Sequence, residues 1–165
     1  GGKRELMQLF SPEQKNPVMH ASTFSGNALT MAAGLAAMRA YTQSEVERIN
    51  GLGARLRDGF SQAFAQSGIA GQVLGSGSLS NILFTNAPIH DSRDSIAGMF
   101  ASGHITSLLH LGMLRRGVVS ASRLMYCVST AMTEAEVEIA VTALNESLHE
   151  LRPYVERERP ELLAA

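Results

Sequence analysis

The sequence predicts an α+β domain in which helices pack on one face of a small, mostly antiparallel sheet. The chain has 165 residues, of which 45% are hydrophobic and 18% charged, as expected for one globular domain with a sizeable core. Long segments with apolar residues every three or four positions alternate with short apolar runs bounded by glycine. The long segments predict helices and the short runs predict strands.

The composition excludes several classes of protein. A formal net charge of -1, from 14 basic and 15 acidic side chains, argues against nucleic-acid binding. The single cysteine excludes a disulfide framework and a thiolate metal site. The five histidines are scattered, and no carboxylate accompanies them at metal-ligand spacing, so we expect no metal. Without a signal-peptide pattern or an apolar run of about 20 residues, a cytoplasmic protein is expected.

The first third of the chain predicts helices separated by a proline-containing loop. A short helix follows Lys3, and the segment Ala28–Tyr41, with no charge before Arg39, predicts a buried helix. Thr42 and Glu45 have the spacing of a capping box for the next helix. Gly68 is predicted to end that helix. Its apolar face comprises Val46, Ile49, Leu52, Leu56, Phe60 and Phe64.

The central segment predicts the sheet. Strands are expected at Gln72–Leu74 and Ser78–Thr85, with the intervening Gly75-Ser76-Gly77 as a turn. Two further short strands are expected at Val118-Val119 and Met125–Ser129. Cys127, in the last of these, is predicted to be an inert core thiol.

Two more helices complete the prediction. The first runs from His104 to Arg116 and stops at Gly117. The second begins at a capping box formed by Thr133 and Glu136. Pro153 is expected to stop this helix, because a proline inside a helix removes a hydrogen bond. The charged residues beyond it are predicted to be solvated.

A turn at Ser22–Asn27 carries the chemical signal of the sequence. It combines hydroxyl groups, Gly26 and the N–H groups of a helix start, which are the components of a phosphate site. The same residue types are also common as plain helix caps, so both interpretations stay open.

The sequence of this region resembles that of the class III aminotransferases. The segments Gly1–Met7 and His20–Leu35, with the block Thr23-Phe-Ser-Gly-Asn27, are similar to that family, in particular to its glutamate-1-semialdehyde 2,1-aminomutase-like branch. The order of the later pieces, including Leu108–Gly112 and the helix start at Thr133, is also similar. The resemblance extends over nearly the whole chain.

The resemblance implies the C-terminal portion of a fold-type-I enzyme that depends on pyridoxal 5'-phosphate. Residues 1–40 would end the large cofactor-binding domain and begin a long connecting helix, 41–153 would form the small domain, and 154–165 a tail. Thr23, through its hydroxyl, and Ser22, through its backbone N–H, would bind the phosphate of the cofactor held by the neighbouring subunit of a homodimer. The full-length enzyme would move an amino group between an amino acid and a keto acid or aldehyde.

The chain lacks the lysine that forms the Schiff base with the cofactor in this family. The two lysines, Lys3 and Lys15, do not match its position, so no catalytic residue is expected here and the chain alone is predicted to be inactive. The competing hypothesis is a non-catalytic dimerisation or binding module derived from such an enzyme. Either way, a piece of a larger fold is expected to expose apolar surface along Ala28–Leu35 and to self-associate.

The loop Ser120–Leu124 bears on the substrate. It is shorter than in the aminomutases and lacks their glutamate, which leaves transamination and intramolecular amino migration both open. Arg123 in this loop would bind a substrate carboxylate, as in some β-amino-acid transaminases resembling this branch. The alternative is an ordinary surface arginine.

Overall fold

Two units make up the chain, Gly1–Thr42 and Gln43–Ala165. The computed structural model describes residues 2–20 and 22–163, apart from the side chain of residue 101. Within these residues, no helix combines the length and the apolar composition needed to cross a bilayer.

The first unit contains two helices, α1 (Arg4–Gln8) and α2 (Ala28–Ala40). Neither contains a buried residue. The prediction that the α2 segment forms a helix is confirmed, but its predicted burial is wrong within this chain: Leu29, Met31 and Met38 are 79%, 64% and 70% exposed. A helix that is apolar on all sides is normally covered by other protein surface, whereas the described residues leave every residue of α2 exposed.

The second unit contains the remaining elements. In chain order they are α3 (Gln43–Ser67), β1 (Gln72–Ser76), β2 (Leu79–Leu83), α4 (Ser92–Ala101), α5 (His104–Arg115), β3 (Met125–Cys127), α6 (Glu134–Glu158) and a 3-10 turn (Pro160–Leu162). The strands form one antiparallel sheet in the order β1-β2-β3. The turn between β1 and β2 contains Gly77 at φ 55°, as the glycine-rich sequence predicts.

A single core lies between the helices and one face of the sheet. Helix α3 packs against α6 and against β1 and β2, and α5 packs against α6. The core side chains that are less than 2% exposed include Phe60, Ile82, Phe84, Ile105, Leu109, Met113, Leu124, Leu144, Leu148 and Val155. The predicted α+β class, with helices on a small antiparallel sheet, is confirmed.

Helix α6 continues beyond Pro153, which corrects the predicted helix end. A proline removes only its own N–H from the helix, and the apolar stripe persists on both sides of it. Leu151 and Val155 are 9% and 0% exposed, so breaking the helix would uncover core surface. The chain then turns back, and Leu162 accepts a hydrogen bond of 2.6 Å from the Ala70 N–H while its side chain is buried.

Two further predictions about local structure need correction. Val118-Val119 is not a strand: Val118 donates to the Met113 carbonyl over 3.0 Å and so closes the end of α5 after Gly117, which has φ 79°. Helix α4 was not predicted from the sequence. Asp91 is nonetheless a suitable N-cap for its start, since its carboxylate accepts from the N–H groups of Arg93 and Asp94 at 2.7 and 3.1 Å.

The predicted capping box at the start of α6 is confirmed. The Thr133 hydroxyl accepts from the Ala135 N–H over 3.2 Å, and Glu136 accepts from the Thr133 N–H over 2.6 Å. The Thr133 hydroxyl, which donates to the Glu136 carboxylate over 2.7 Å, and the Thr133 N–H together hold the pKa of Glu136 below its usual value.

We expect Thr133→Ala to lower the free energy of unfolding of the second unit by about 1 kcal/mol, the usual effect of losing a helix N-cap. The matched control is Thr142→Ala in the exposed middle of the same helix, where alanine has the better helix propensity. Urea denaturation followed by circular dichroism measures both. Equal stabilities for the two variants would contradict a capping role.

Candidate functional site

The candidate phosphate-binding turn of the first unit, Ser22–Asn27, consists of exposed residues. Gly26 has φ 70°, a conformation that favours glycine and lets the chain reverse before α2. The Ser22 carbonyl accepts from the Ser25 N–H over 3.0 Å, and the Ser22 hydroxyl accepts from the Phe24 N–H over 3.3 Å. The turn is therefore held by its own local hydrogen bonds.

Asn27 caps α2 and so occupies two of the N–H groups at the start of this helix. Its side-chain oxygen accepts from the N–H groups of Leu29 and Thr30 at 3.0 and 3.3 Å. These two helix N–H groups, which the sequence offered as phosphate ligands, already have an acceptor. Thr23 differs, since within residues 2–20 and 22–163 neither its hydroxyl nor its N–H makes a hydrogen bond. Thr23 thus keeps both its hydroxyl and its N–H available as donors.

Both lysines of the chain lie in exposed positions of the first unit. Lys3 is the residue before α1, and Lys15 lies in the turn that follows this helix. Neither is buried as a lysine that becomes a nucleophile by desolvation would be.

The second candidate region is the loop of the second unit that contains Arg123. The Arg123 side chain is exposed, and its guanidinium lies 3.4 Å from the Met125 sulfur. Within the described residues it makes no ion pair, in contrast to Arg116, whose pKa is raised by Glu146 and Glu150. Arg123 therefore presents an uncompensated positive charge to solvent.

Cys127 is exposed, so its predicted burial is wrong. Side chains alternate along a strand, and Tyr126 takes the inward position of β3 with only 6% exposure. The Tyr126 ring packs edge-to-face on Phe60 at 5.1 Å, which leaves Cys127 on the outer face. Burial raises the pKa of Tyr126 to about 12, and the neighbouring Ser120 hydroxyl opposes this shift.

An apolar cavity of about 620 Å³ lies beside the same loop, between β3 and the start of α6. Val119, Ala121, Val137 and Ile139 contribute to its lining. The sequence analysis did not predict this cavity, which forms where the folded segment 117–140 lies beside Leu56 of α3. No group of three His, Cys, Asp or Glu side chains able to hold a metal occurs in the part of the chain that the structure describes.

Comparison with known proteins identifies relatives of one kind. The chain is 31% identical to the β-phenylalanine transaminase of Variovorax paradoxus over 145 residues, which are 87% of this chain and 32% of that protein. It is 33% identical to the glutamate-1-semialdehyde 2,1-aminomutase of Opitutus terrae over 150 residues, 88% of this chain and 35% of the relative. No family model matches the chain.

Comparison of the fold with solved structures identifies the same group of proteins. The crystal structure of an ω-transaminase from Sphaerobacter thermophilus superposes with a TM-score of 0.75 at 32% identity, covering 92% of this chain and 35% of that one. The chain thus spans about a third of the length of the proteins it matches. It belongs to the fold-type-I aminotransferase family that includes these transaminases and aminomutases, and it corresponds to the C-terminal part of their fold.

Proposed function

We propose that this chain is the C-terminal part of a homodimeric, pyridoxal-phosphate-dependent enzyme that transfers an amino group between an amino acid and a keto acid or aldehyde. One observation carries the proposal: Thr23 offers an open hydroxyl and N–H on an exposed turn, in a chain of the aminotransferase family. On this proposal residues 1–40 belong to the large domain, and Thr23 and Ser22 act on the cofactor of the partner subunit.

The donor chemistry of the turn fits a phosphate. A dianionic phosphate gains from neutral O–H and N–H donors and does not require a lysine. The Ser22 hydroxyl accepts from the Phe24 N–H and holds the turn, and we assign the backbone N–H of Ser22 to the phosphate. The other phosphate ligands would come from the partner subunit. When bound, the cofactor supplies an electron sink that withdraws charge from the amino-bearing carbon.

The exposed apolar surface of α2 supports the homodimer. Leu29, Met31, Leu35 and Met38 are all more than half exposed, on a helix that begins at the Thr23 turn. Helical spacing places Met31, Leu35 and Met38 on one side of α2, and an exposed apolar side of this kind is typical of a protein–protein contact. A contact at α2 would bring the turn close to the covering subunit, as a shared cofactor site requires.

Thr23→Val in the longer enzyme is expected to weaken cofactor retention by roughly ten- to hundredfold. The variant removes one hydroxyl donor to a charged group, an interaction worth about 1.5–3 kcal/mol, and keeps the side-chain shape. Equilibrium dialysis of pyridoxal phosphate measures the effect. Thr30→Val, an exposed threonine on α2 whose N–H is already capped, is the control and should retain normal affinity.

Mixed dimers test whether Thr23 acts across the subunit interface. One subunit carries Thr23→Val, and the other has the upstream cofactor lysine replaced by alanine. If Thr23 serves the partner, one site in each mixed dimer has both groups intact, and activity returns to about half of wild type. No recovery in the mixed dimer would assign Thr23 to its own subunit and refute the proposed arrangement.

The isolated chain is expected to form no covalent bond with the cofactor. Lys3 and Lys15 are solvated amines without the buried setting that makes a lysine a good nucleophile. Borohydride treatment with pyridoxal phosphate at one equivalent, followed by mass spectrometry of tryptic peptides, should find no stoichiometric adduct. Complete modification of Lys3 or Lys15 would contradict the assignment of catalysis to an upstream lysine.

The competing proposal is a standalone dimerisation or binding module. The missing lysine and the exposed α2 favour it as much as they favour a part of an enzyme. The coding frame upstream of Gly1 separates the two. An open frame with a lysine shortly before Gly1 and a large domain supports the enzyme, and a start codon at this point supports the module.

A further inference from the structure

The loop that carries Arg123 contains the one non-glycine residue with a positive φ in the part of the chain that the structure describes. Leu124 has φ 61°, in the left-handed region that leucine seldom occupies. Its side chain is 0% exposed and sits in the core. Such conformations persist only where the surroundings impose them, and they concentrate at binding sites.

Main-chain hydrogen bonds impose this conformation from both sides. The Leu124 N–H donates to the Ala121 carbonyl over 2.8 Å, and the Ala121 N–H donates to the Met125 carbonyl over 3.1 Å. The Leu124 carbonyl accepts from the Ile82 N–H of β2 over 3.2 Å. The loop is thus closed on itself and attached to the central strand.

Asn81, the residue before Ile82 on β2, adds the side-chain contribution. With its amide nitrogen towards the loop, Asn81 donates to the Arg123 carbonyl over 3.1 Å and to the Leu124 carbonyl over 3.2 Å. The first carbonyl belongs to the peptide bond between Arg123 and Leu124 and the second to the next peptide bond, so the two lie on either side of the Leu124 Cα. One half-buried amide therefore fixes the orientation of the backbone from which the Arg123 side chain leaves.

We propose that Asn81 is a positioning residue that holds Arg123 for a substrate carboxylate; this rests on the proposed function. With Leu124 anchored in the core, Arg123 is directed outwards, and within the described residues no acid neutralises it. Bidentate binding of a carboxylate needs a guanidinium in a defined orientation, so a fixed backbone lowers the entropy lost on binding. The class of substrate is an amino acid, as opposed to an amine without a carboxylate.

The test compares two substrates of the longer enzyme that differ in the carboxylate. β-Phenylalanine carries it, and 1-phenylethylamine is the same amine after loss of carbon dioxide. We expect Asn81→Ala to raise KM for β-phenylalanine about three- to tenfold, with kcat and the kinetics of 1-phenylethylamine changed less than twofold. Asn86→Ala is the matched control, since Asn86 donates its amide to the Glu161 carbonyl over 2.8 Å, away from the loop. Asn86→Ala should leave KM and kcat for both substrates unchanged.

The double variant separates positioning from a structural role. In an Arg123→Ala background, Asn81→Ala should have no further effect on KM for β-phenylalanine, because the group that it positions is gone. An Asn81→Ala effect of the same size with both substrates, or one that persists without Arg123, would refute the proposal and leave Asn81 as a loop-stabilising residue.

A binding measurement decides the proposal without turnover. Isothermal titration calorimetry with 3-phenylpropanoate should show that Asn81→Ala and Arg123→Ala each weaken binding and that the double variant is no weaker than Arg123→Ala. If Arg123→Ala bound 3-phenylpropanoate with wild-type affinity, the positioning role of Asn81 would be refuted, even if amino transfer itself is retained. Absent transfer with intact carboxylate binding would refute the proposed function and leave the positioning role supported.

Discussion

Phe60→Ala is expected to lower the free energy of unfolding of the Gln43–Ala165 unit by about 3–5 kcal/mol, the usual range for truncating a buried phenylalanine. Phe60 is 0% exposed, and its ring packs edge-to-face on Tyr126 at 5.1 Å. The ring therefore links α3 to β3, and its loss leaves a cavity between the helices and the sheet. Tyr126 would also lose the packing that keeps its ring turned inwards.

Guanidinium denaturation followed by circular dichroism measures this effect. The control is Phe100→Ala in α4, because Phe100 is 78% exposed and surface substitutions usually change stability by about 0.5 kcal/mol or less. Similar losses in the two variants would show that Phe60 does not lie in the core described here.

Gly53→Ala is expected to destabilise the same unit by about 1–3 kcal/mol, although alanine is the better helix former. A Cβ at Gly53 would clash with the Gly77 carbonyl oxygen and would lie 2.9 Å from the Ser78 Cα. Both are backbone atoms of the turn between β1 and β2, which a rotamer change cannot move. The helix or the hairpin would have to shift.

Gly51→Ala provides a control in the same helix with the opposite expected sign. Apart from its chain neighbours and the backbone of its own helix, no atom of the described residues lies within 4 Å of a Cβ at Gly51, so this variant should gain about 0.5–1 kcal/mol from helix propensity. The difference between the two variants isolates the close approach of α3 to the hairpin. If Gly53→Ala also stabilised the unit, the packing of α3 on this turn would be wrong.

Arg48 fixes the start of α3 against the segment that leads into α6. Its guanidinium donates to the carbonyls of Thr130 and Met132 at 2.8 and 2.9 Å and binds Glu45 one turn earlier. The same contact holds the pKa of Glu45 below its usual value. These hydrogen bonds are one reason why the β3–α6 connection has a defined conformation despite its exposure.

The candidate sites differ in how far the sequence predicts them. The Thr23 turn is local, so its glycine, its hydroxyls and the Asn27 cap are all visible in six consecutive residues. The support for Arg123 is not local. It depends on Asn81, which lies about forty positions earlier and reaches the loop only because β2 pairs with β3.

The sequence by itself determined the helices other than α4, their glycine stops and the α6 capping box, because each depends on residues close together in the chain. It also determined the family, through motifs that keep their order along the chain. The tertiary structure alone decided the left-handed Leu124, the outward Cys127 and the continuation of α6 through Pro153. The exposure of α2, by contrast, agrees with the apolar surface that the sequence analysis expects along Ala28–Leu35. Strand register depends on which distant segments of the chain pair, and so does the free energy lost when core surface is exposed. Local sequence patterns do not contain this information.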